Sequence, residues 1–447
     1  MARRRKKLPE GEFEGEILSL SHEGRGVAKI DGKTIFIQFG LPGEKVKFKY
    51  TYTRSKFDEG IVTEVVVPSS ERVTPVCEAY NHCGGCSLQH LSAHGQIAHK
   101  LDTLKDHFAH FGNVSPDVWL DPLLSEITEG YRTKARVGVR YVPKKDDRVL
   151  VGFRERNGRY LADINACPVL HPSVGTNIES LQVLIRSLEA YTTIPQIEVA
   201  VDDHKTALII RHLEPLSEQD LEKITVYAEA KGFWVYLQSK GPNTVKLFYP
   251  KIPKEERYLS YSLPEFDIMI RFHPNDFTQV NTDINHKMLY QAVQLLDLSK
   301  EDKVLDLFCG LGNFTLPLAR SAGHVTGVEG DETMVKRAYE SAAFNNISNV
   351  DFHAANLFED INQFDWSQNR YNKMLLDPPR AGAEAICQQI EAFTPEKIVY
   401  VSCNPATLAR DAGILVNEKG YTMTHAGIMD MFPHTTHVES MAVFVKK

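Results

Sequence analysis

The stretch Val304-Leu-Asp-Leu-Phe-Cys-Gly-Leu-Gly-Asn-Phe-Thr315 decides the fold of the C-terminal part of the chain. It begins as a short apolar run, typical of a buried parallel strand, and a turn with two glycines leads into a helix. Gly310 and Gly312 let the backbone approach a ligand closely, and Glu329 ends the next apolar run, where an acidic side chain usually binds ribose hydroxyls. The pattern therefore predicts a cofactor site.

Apolar runs alternate with turns and helical patterns from about residue 266 onward. The other runs are Val325-Thr-Gly-Val-Glu329, Lys373-Met-Leu-Leu-Asp377 and Ile398-Val-Tyr-Val-Ser402. This order predicts a doubly wound α/β domain whose ligands lie beyond the carboxyl ends of the strands.

The glycine turn distinguishes between two cofactors. The NAD fingerprint needs a third glycine where Thr315 stands. An acidic residue before the turn, two glycines and an acidic strand end resemble instead the S-adenosylmethionine site of class I methyltransferases, in which Asn356 fits an adenine contact. Leu376-Asp-Pro-Pro-Arg380 is similar to the Asp-Pro-Pro-aromatic motif of enzymes that methylate exocyclic amines, but here an arginine replaces the aromatic residue.

A cysteine stands where a strand becomes a helix in Val399-Tyr-Val-Ser-Cys-Asn-Pro-Ala-Thr-Leu-Ala-Arg-Asp411. Asn404 is a good N-cap and Pro405 a favoured first helical residue. Cys403 thus lies at a helix N-terminus, which predicts a lowered thiol pKa and a reactive thiolate. We interpret Cys309 and Cys387 as packed residues instead, because most free cysteines are buried and inert.

A reactive thiol beside a methyl donor suits methylation at carbon. Addition of a thiolate to C6 of uracil makes C5 nucleophilic, and a base must later remove the C5 proton. The stretch Met431-Phe-Pro-His-Thr-Thr-His-Val-Glu-Ser440 offers Glu439 as that base, with His434 and His437 as weaker candidates.

Residues 12–68 have the pattern of a small all-β unit. Ala28-Lys-Ile-Asp-Gly-Lys-Thr-Ile-Phe36 predicts two strands around an Asp-Gly hairpin. In Lys45-Val-Lys-Phe-Lys-Tyr-Thr-Tyr52 the lysines alternate with apolar and aromatic residues. This layout suits an OB-type barrel that binds nucleic acid, although an edge strand protected by lysines would look the same.

The formal net charge of −7 is unevenly distributed. Residues 1–60 hold 13 Lys and Arg against 9 Asp and Glu, and residues 131–160 hold 10 against 3. In Tyr131-Arg-Thr-Lys-Ala-Arg-Val-Gly-Val-Arg-Tyr141, alternation predicts one strand face with four cations, at positions 132, 134, 136 and 140. Because four like charges repel one another, we expect phosphate contact there rather than a merely solvated face.

Residues 69–95 contain a cysteine cluster, and residues 96–112 predict an amphipathic helix. From about 128 to 265, the irregular alternation of strand and helix patterns predicts an α+β domain. Cys77, Cys83 and Cys86 lie close together, and Cys167, followed by a proline, is a possible fourth ligand. Three cysteines separated by glycines suit a metal better than a core. Spacing alone does not separate zinc from an iron-sulfur cluster.

Taken together, these motifs resemble the RNA uracil-C5 methyltransferases over nearly the whole chain, most closely the iron-sulfur-containing branch that acts on 23S rRNA. The resemblance implies that Cys403 is the nucleophile and Glu439 the base. It also implies that Phe277 packs in the site. The cofactor-site positions implied by the resemblance are Gln279, Phe308, Asn313, Glu329, Asn356 and Asp377.

The resemblance also implies three domains and two cofactors. The domains are an N-terminal OB-like TRAM barrel (1–68), a central α+β domain with the cysteine cluster (69–265) and a C-terminal class I, Rossmann-like methyltransferase domain (266–447). The cofactors are S-adenosylmethionine and a [4Fe-4S] cluster on Cys77, Cys83, Cys86 and Cys167, which ties residues 69–95 to the central domain and supports the RNA surface.

The expected partner is 23S rRNA or a pre-ribosomal particle, bound by a monomer. The alternatives are the tRNA branch of the family and a non-catalytic RNA-binding assembly factor. Residues 1–7 are basic but lack the apolar segment of a secretory signal, and no later run is long enough to span a bilayer. We therefore expect a cytoplasmic protein without a membrane partner.

Overall fold

The computed structural model describes residues 8–253, 256–359, 361 and 363–447. The basic residues 1–7, part of the predicted positive N-terminal region, lie outside the described residues. The strands are β1 Phe13–Glu16, β2 Ser19–Leu20, β3 Gly26–Ile30, β4 Lys33–Gln38, β5 Lys45–Thr53, β6 Phe57–Val67, β7 Val118–Trp119, β8 Lys134–Val142, β9 Arg148–Gly152, β10 Gln196–Val201, β11 Thr206–Arg211, β12 Phe233–Gln238, β13 Lys246–Tyr249, β14 Leu259–Leu263, β15 Ile268–Phe272, β16 Lys303–Leu307, β17 His324–Glu329, β18 Val350–Ala354, β19 Lys373–Leu376, β20 Lys397–Ser402, β21 Tyr421–Met429 and β22 Glu439–Lys446. The helices are α1 Ala93–His107, α2 Pro172–Gly175, α3 Ile178–Ser187, α4 Glu218–Lys231, α5 Thr282–Leu296, α6 Thr315–Ser321, α7 Glu332–Phe344, α8 Glu384–Gln388 and α9 Pro405–Asn417.

The N-terminal strands form a barrel around one small core. The sheet order is β1-β5-β6-β4-β3-β2, and β1 and β2 are the two halves of one segment. Because that segment pairs with β5 at its start and with β3 at its end, it closes the sheet on itself. The predicted hairpin is confirmed: Asp31 and Gly32 both have positive φ, as its tight turn requires. The predicted lysine strand is confirmed as β5, with Val46 and Phe48 buried between the lysines.

The central sheet has the order β13-β12-β11-β10-β8-β9. Its apolar residues pack against α3 and α4 on one face. The other face contacts the β14–β15 hairpin and α5, so this sheet and the C-terminal domain share a continuous core.

The C-terminal sheet has the order β18-β17-β16-β19-β20-β22-β21-β7, and its strands β16 to β20 run parallel. This confirms the predicted doubly wound domain. The final strand, β22, runs antiparallel to β20. It therefore begins at the edge where the parallel strands end.

Two elements within 69–265 also contact the C-terminal sheet. The predicted amphipathic helix is present as α1, which begins at Ala93, and a wider π turn continues it over Phe108–Gly112. Apolar residues of α1 and α9 pack in the same core, and β7 pairs with β21. The domain bounds stay a prediction.

The predicted four-cation face of β8 is wrong in one respect. The alternation is present, with Ala135, Val137 and Val139 buried. However, Arg136 pairs with Glu198 of the neighbouring strand at 3.0 Å, and the Lys134 Nζ is buried. The local sequence does not show this counter-ion, because Glu198 lies on β10.

In the part of the chain that the structure describes, no helix combines the length and apolar character needed to cross a bilayer.

Candidate active site

A cavity of about 760 Å³ opens at the carboxyl edge of the parallel strands, the position expected for a ligand site in such a sheet. It is formed by the turns after β16, β17, β18, β19 and β20 together with the segment before α5 and the start of β22. All eight residues predicted for catalysis and cofactor binding line this one cavity: Gln279, Phe308, Asn313, Glu329, Asn356, Asp377, Cys403 and Glu439.

The glycine turn forms one wall of the cavity. Phe308, Gly310 and Gly312 all have positive φ, so the turn depends on its two glycines and holds Phe308 in an uncommon conformation. The Gly310 amide donates to Glu329 Oε2 at 3.1 Å, which fixes this carboxylate against the turn. Glu329 thereby presents a hydrogen-bond acceptor next to the glycine turn, where the backbone can come close to a ligand, as a ribose site requires.

The two predicted asparagines have different surroundings. Asn313 Oδ1 accepts from the Tyr261 hydroxyl at 2.9 Å, so the β14–β15 hairpin helps to hold it. Asn356 lies in a turn after β18, where its Oδ1 accepts from the Phe358 amide and its Nδ2 donates to Glu359. Tyr261 is a lining residue that the sequence did not predict, because it comes from a hairpin remote in sequence.

Asp306, the acidic residue before the turn, is completely buried and lies outside the cavity lining. Its Oδ2 accepts from the Thr315 hydroxyl at 2.6 Å. Burial raises the pKa of Asp306 to about 8. This residue therefore connects the strand to the first turn of α6 from behind the ligand site.

Cys403 and Glu439 are cross-strand neighbours. The antiparallel register of β20 and β22 pairs Ser402 with Ser440, so continuing it by one residue sets Cys403 opposite Glu439. The Asn404 side chain accepts from the Ala406 amide and caps α9, as the sequence predicted. The two groups required for thiolate addition and proton removal thus meet at one edge of the cavity.

The predicted low pKa of the Cys403 thiol is wrong. Burial, followed by the nearby Glu439 and Asp377 carboxylates, raises its pKa to about 11, and Arg380 only partly opposes them. The helix N-terminus was visible in the sequence, but the two carboxylates come from strands distant in sequence. In this structure the thiol is therefore protonated at neutral pH.

The two carboxyl groups facing the thiol are also perturbed. Burial raises the pKa of Asp377 to about 7. Burial and the Asp377 charge raise the pKa of Glu439 to about 8, although Arg380 and Lys100 lower it in part. Proton acceptors that titrate near neutral pH are suited to general base catalysis.

The segment before α5 forms the opposite wall. Gln279 lines the cavity, and the next residue, Val280, accepts through its carbonyl from both the amide and the hydroxyl of Thr133. Phe277 also lines the cavity, with 68% of its surface exposed. That its ring packs in the occupied site stays a prediction.

The two weaker base candidates are separated by the structure. His437 lines the cavity, where its Nδ1 lies 3.3 Å from Arg380 Nη2. His434 is buried outside the cavity lining, and its amide donates to Gln96 Oε1 at 2.8 Å. Arg380 also supplies, through its carbonyl, an acceptor for the Asn404 side chain at 2.9 Å.

The four predicted cluster ligands line a second, smaller cavity between residues 77–89 and the central domain. Burial raises the pKa of each thiol, to about 12 for Cys86. Neighbouring cysteines of the set raise the pKa of Cys83, Cys86 and Cys167 further. Among the described residues, no group of three or more His, Cys, Asp or Glu side chains is already arranged to hold a metal ion. The other two cysteines considered in the sequence, Cys309 and Cys387, are buried as predicted.

The tRNA (uracil-5-)-methyltransferase family model matches residues 93–447, and the TRAM domain model matches residues 13–63. The predicted TRAM domain is thus confirmed. Among curated relatives, the "23S rRNA (uracil(1939)-C(5))-methyltransferase RlmD" of Francisella tularensis subsp. novicida is 58% identical and aligns over 100% of this chain and 99% of its own. The protein of the same name from Hahella chejuensis is 53% identical over 100% of both chains.

Among solved structures, the tRNA (uracil-54, C5)-methyltransferase of Pyrococcus abyssi in complex with S-adenosyl-L-homocysteine matches with a TM-score of 0.73. It is 24% identical, and the match covers 97% of this chain and 100% of that one. At this identity the likeness shows a shared fold.

Proposed function

Because the chain belongs to the tRNA (uracil-5-)-methyltransferase family, we propose that it methylates C5 of a uridine in 23S rRNA with S-adenosylmethionine as methyl donor. The observation that carries the proposal is the single cavity in which Cys403 and Glu439 face each other across two strands beside the glycine turn. Bound S-adenosylmethionine would supply an electrophilic methyl group there. Phe308, Asn313, Glu329 and Asn356 would hold it.

Each catalytic residue has one role in this proposal. Cys403 loses its proton to solvent and bonds to C6 of the uracil, and the electron pair of the C5–C6 double bond moves onto C5 and O4. C5 then bonds to the donor methyl group as the methyl–sulfur bond breaks. Glu439 removes the C5 proton, the double bond forms again, and the cysteine sulfur leaves C6 and regains a proton. Gln279 and Asp377, which line the same cavity, would contact both the methyl donor and the uracil edge.

The substrate follows from the relatives rather than from the family name. Curated proteins more than half identical over the full chain carry the name of a 23S rRNA uracil-1939 methyltransferase, whereas the solved tRNA enzyme is only 24% identical. We propose the corresponding uridine of 23S rRNA as the target, read by a monomer in free rRNA or in a pre-ribosomal particle. The TRAM barrel and the basic strand β8 are the proposed RNA-binding surfaces.

The test is transfer of labelled methyl groups to unmodified 23S rRNA, to pre-ribosomal particles and, separately, to unmodified tRNA, followed by nucleoside digestion. We expect 5-methyluridine from 23S rRNA. If only tRNA were labelled, the proposed reaction would stand but the proposed substrate would be wrong. No label in any RNA would favour a non-catalytic assembly factor.

Two variants test the catalytic roles. Cys403→Ala should abolish methylation while leaving S-adenosylmethionine affinity unchanged, since the thiol is needed only for covalent addition. Glu439→Gln should accumulate a covalent protein–RNA adduct on a denaturing gel, because methyl transfer precedes proton removal. Methylation by the alanine variant would contradict the mechanism, and a missing adduct in the glutamine variant would contradict the assigned base.

We further propose that Cys77, Cys83, Cys86 and Cys167 hold a [4Fe-4S] cluster, with zinc as the alternative. All four line one cavity, and burial together with mutual repulsion disfavours their thiolates unless a cation is present. The backbone between these cysteines also bonds to residues 154–156: the Gly84 amide donates to the Arg154 carbonyl, and the Arg156 amide donates to the His82 carbonyl, both at 2.8 Å. Anaerobically purified wild-type protein should contain about four irons per chain. The Cys77→Ser variant should lack them and bind RNA more weakly. Zinc in metal analysis would identify the alternative, and normal RNA binding without the metal would contradict the supporting role.

A further inference from the structure

The loop between β21 and β22, residues 430–438, delivers Glu439 to the cavity and is here called the base loop. Its main chain contacts the segment that follows the cysteine cluster. The amides of Ser87 and Leu88 both donate to the His434 carbonyl at 2.9 Å. In return, the Thr436 amide donates to Ser87 Oγ at 3.0 Å.

Helix α1 holds the same loop through two buried side chains. Gln96 Oε1 accepts from the His434 amide at 2.8 Å, and its Nε2 donates to the Leu91 carbonyl. Lys100 Nζ donates to Asp430 Oδ1 at 2.6 Å and to the Phe432 carbonyl at 3.0 Å. Lys100 is completely buried, so its pairing with Asp430 fixes where the base loop begins.

Ser87, Gln96 and Lys100 do not line the active-site cavity. Ser87 and Gln96 can therefore affect the reaction only through the base loop, whereas the charge of Lys100 also lowers the pKa of Glu439. The other parts of the site have separate supports: Asn404 attaches the start of α9 to Arg380, while Tyr261 holds Asn313 beside the glycine turn.

We propose that residues 87–100 form a clamp that sets the position of Glu439, with Ser87, Gln96 and Lys100 as positioning residues for removal of the C5 proton. This inference rests on the function proposed above. Thiolate addition and methyl transfer depend chiefly on Cys403 and on the residues that would hold the methyl donor. The hydrogen bonds of the clamp side chains given above reach neither Cys403 nor the glycine turn. Loosening the clamp should therefore slow the last chemical step selectively.

The neutral members of the clamp give the cleanest test. Lys100→Met would leave Asp430 buried without its partner and endanger folding. Gln96→Met instead removes the acceptor of the His434 amide at nearly constant volume, and Ser87→Ala removes the acceptor of the Thr436 amide. Thr103→Val is a matched control, because among the described residues the Thr103 hydroxyl bonds only to the His99 carbonyl within α1. Ser87→Thr keeps the hydroxyl and should restore the wild-type behaviour.

The first readout is a rapid-quench time course that separates covalent RNA adduct from released 5-methyluridine RNA. A displacement of about 1 Å at a catalytic group can reduce a rate ~100-fold. We therefore expect Gln96→Met and Ser87→Ala to release product ~10- to 100-fold more slowly and to accumulate methylated adduct. S-adenosylmethionine affinity and the rate of methyl transfer should match those of wild type and Thr103→Val.

The second readout is hydrogen exchange of the free protein, which does not require activity. The amides of His434 and Thr436 should exchange faster in the clamp variants, while those of the parallel strands stay protected. Unchanged product release in both variants would overturn the clamp, as would equal loss of methyl transfer and cofactor affinity. A wild-type protein that methylates no RNA would instead refute the proposed function, and the exchange result would still report on the loop.

Discussion

The surroundings of Cys403 predict a steep rise of activity with pH. Its thiol pKa of about 11 means that ~1 thiol in 10⁴ is ionised at pH 7 and ~1 in 10³ at pH 8. Only the thiolate adds to uracil, so kcat/KM for RNA should rise ~10-fold per pH unit, ~100-fold from pH 6 to pH 8. Because kcat/KM covers the steps up to methyl transfer, later proton removal by Glu439 should not alter this slope.

The assay is initial-rate methylation at subsaturating RNA in constant-ionic-strength buffers. Alkylation of Cys403 in the free protein, followed by peptide mass spectrometry, measures the same ionisation without RNA. Glu439→Gln is the informative control. It removes a carboxylate that raises the Cys403 pKa once it is ionised, so alkylation should be faster above about pH 8, where Glu439 is charged. A wild-type rate that is already level between pH 6 and pH 8 would refute the reasoning, because the thiol would then be ionised.

Two further predictions concern Asp306 and the basic strand. The folded-state pKa of Asp306 lies above its ordinary value, so the stability from its neutral form is lost as pH rises toward about 8. Asp306→Asn should therefore become more resistant to urea, relative to wild type, as the pH rises from 5 to 8. A difference in unfolding free energy between the two proteins that stays constant over this pH range would contradict this. Arg140→Ala should reduce RNA affinity and lower by about 1 the slope of the logarithm of the binding constant against the logarithm of the salt concentration. Arg136→Ala should change both less, because the Arg136 guanidinium is already paired with Glu198. If both variants lost the same RNA affinity in a filter-binding assay, the pairing with Glu198 would not be what weakens the contribution of Arg136.

The parallel strands could be predicted from the sequence, because each is a short apolar run followed by residues with polar or reactive side chains. The prediction that Glu329, Asp377 and Cys403 lie at one edge of the sheet rested on the same strands, because the carboxyl ends of parallel strands meet at that edge. Glu439 needed the family motif, because its role depends on an antiparallel strand whose pairing partner is not visible locally.

What the sequence did not predict is mostly electrostatic. The pKa of Cys403, the neutralised Arg136 and the buried Lys100 each depend on a partner more than 30 residues away in the chain. Local patterns such as a helix N-terminus or an alternating strand describe only one side of such a pair. The direction of these shifts therefore follows only from the folded arrangement.

The contact between Gln96 and His434 joins residues 338 positions apart. Closing so long a loop has a large entropic cost, and native contacts of this separation form late in folding. The glycine turn and its flanking strands, by contrast, are closer together in the chain. A refolding protein should accordingly acquire cofactor affinity before it acquires turnover, so the lag between the two signals would report the arrival of helix α1 on the C-terminal domain.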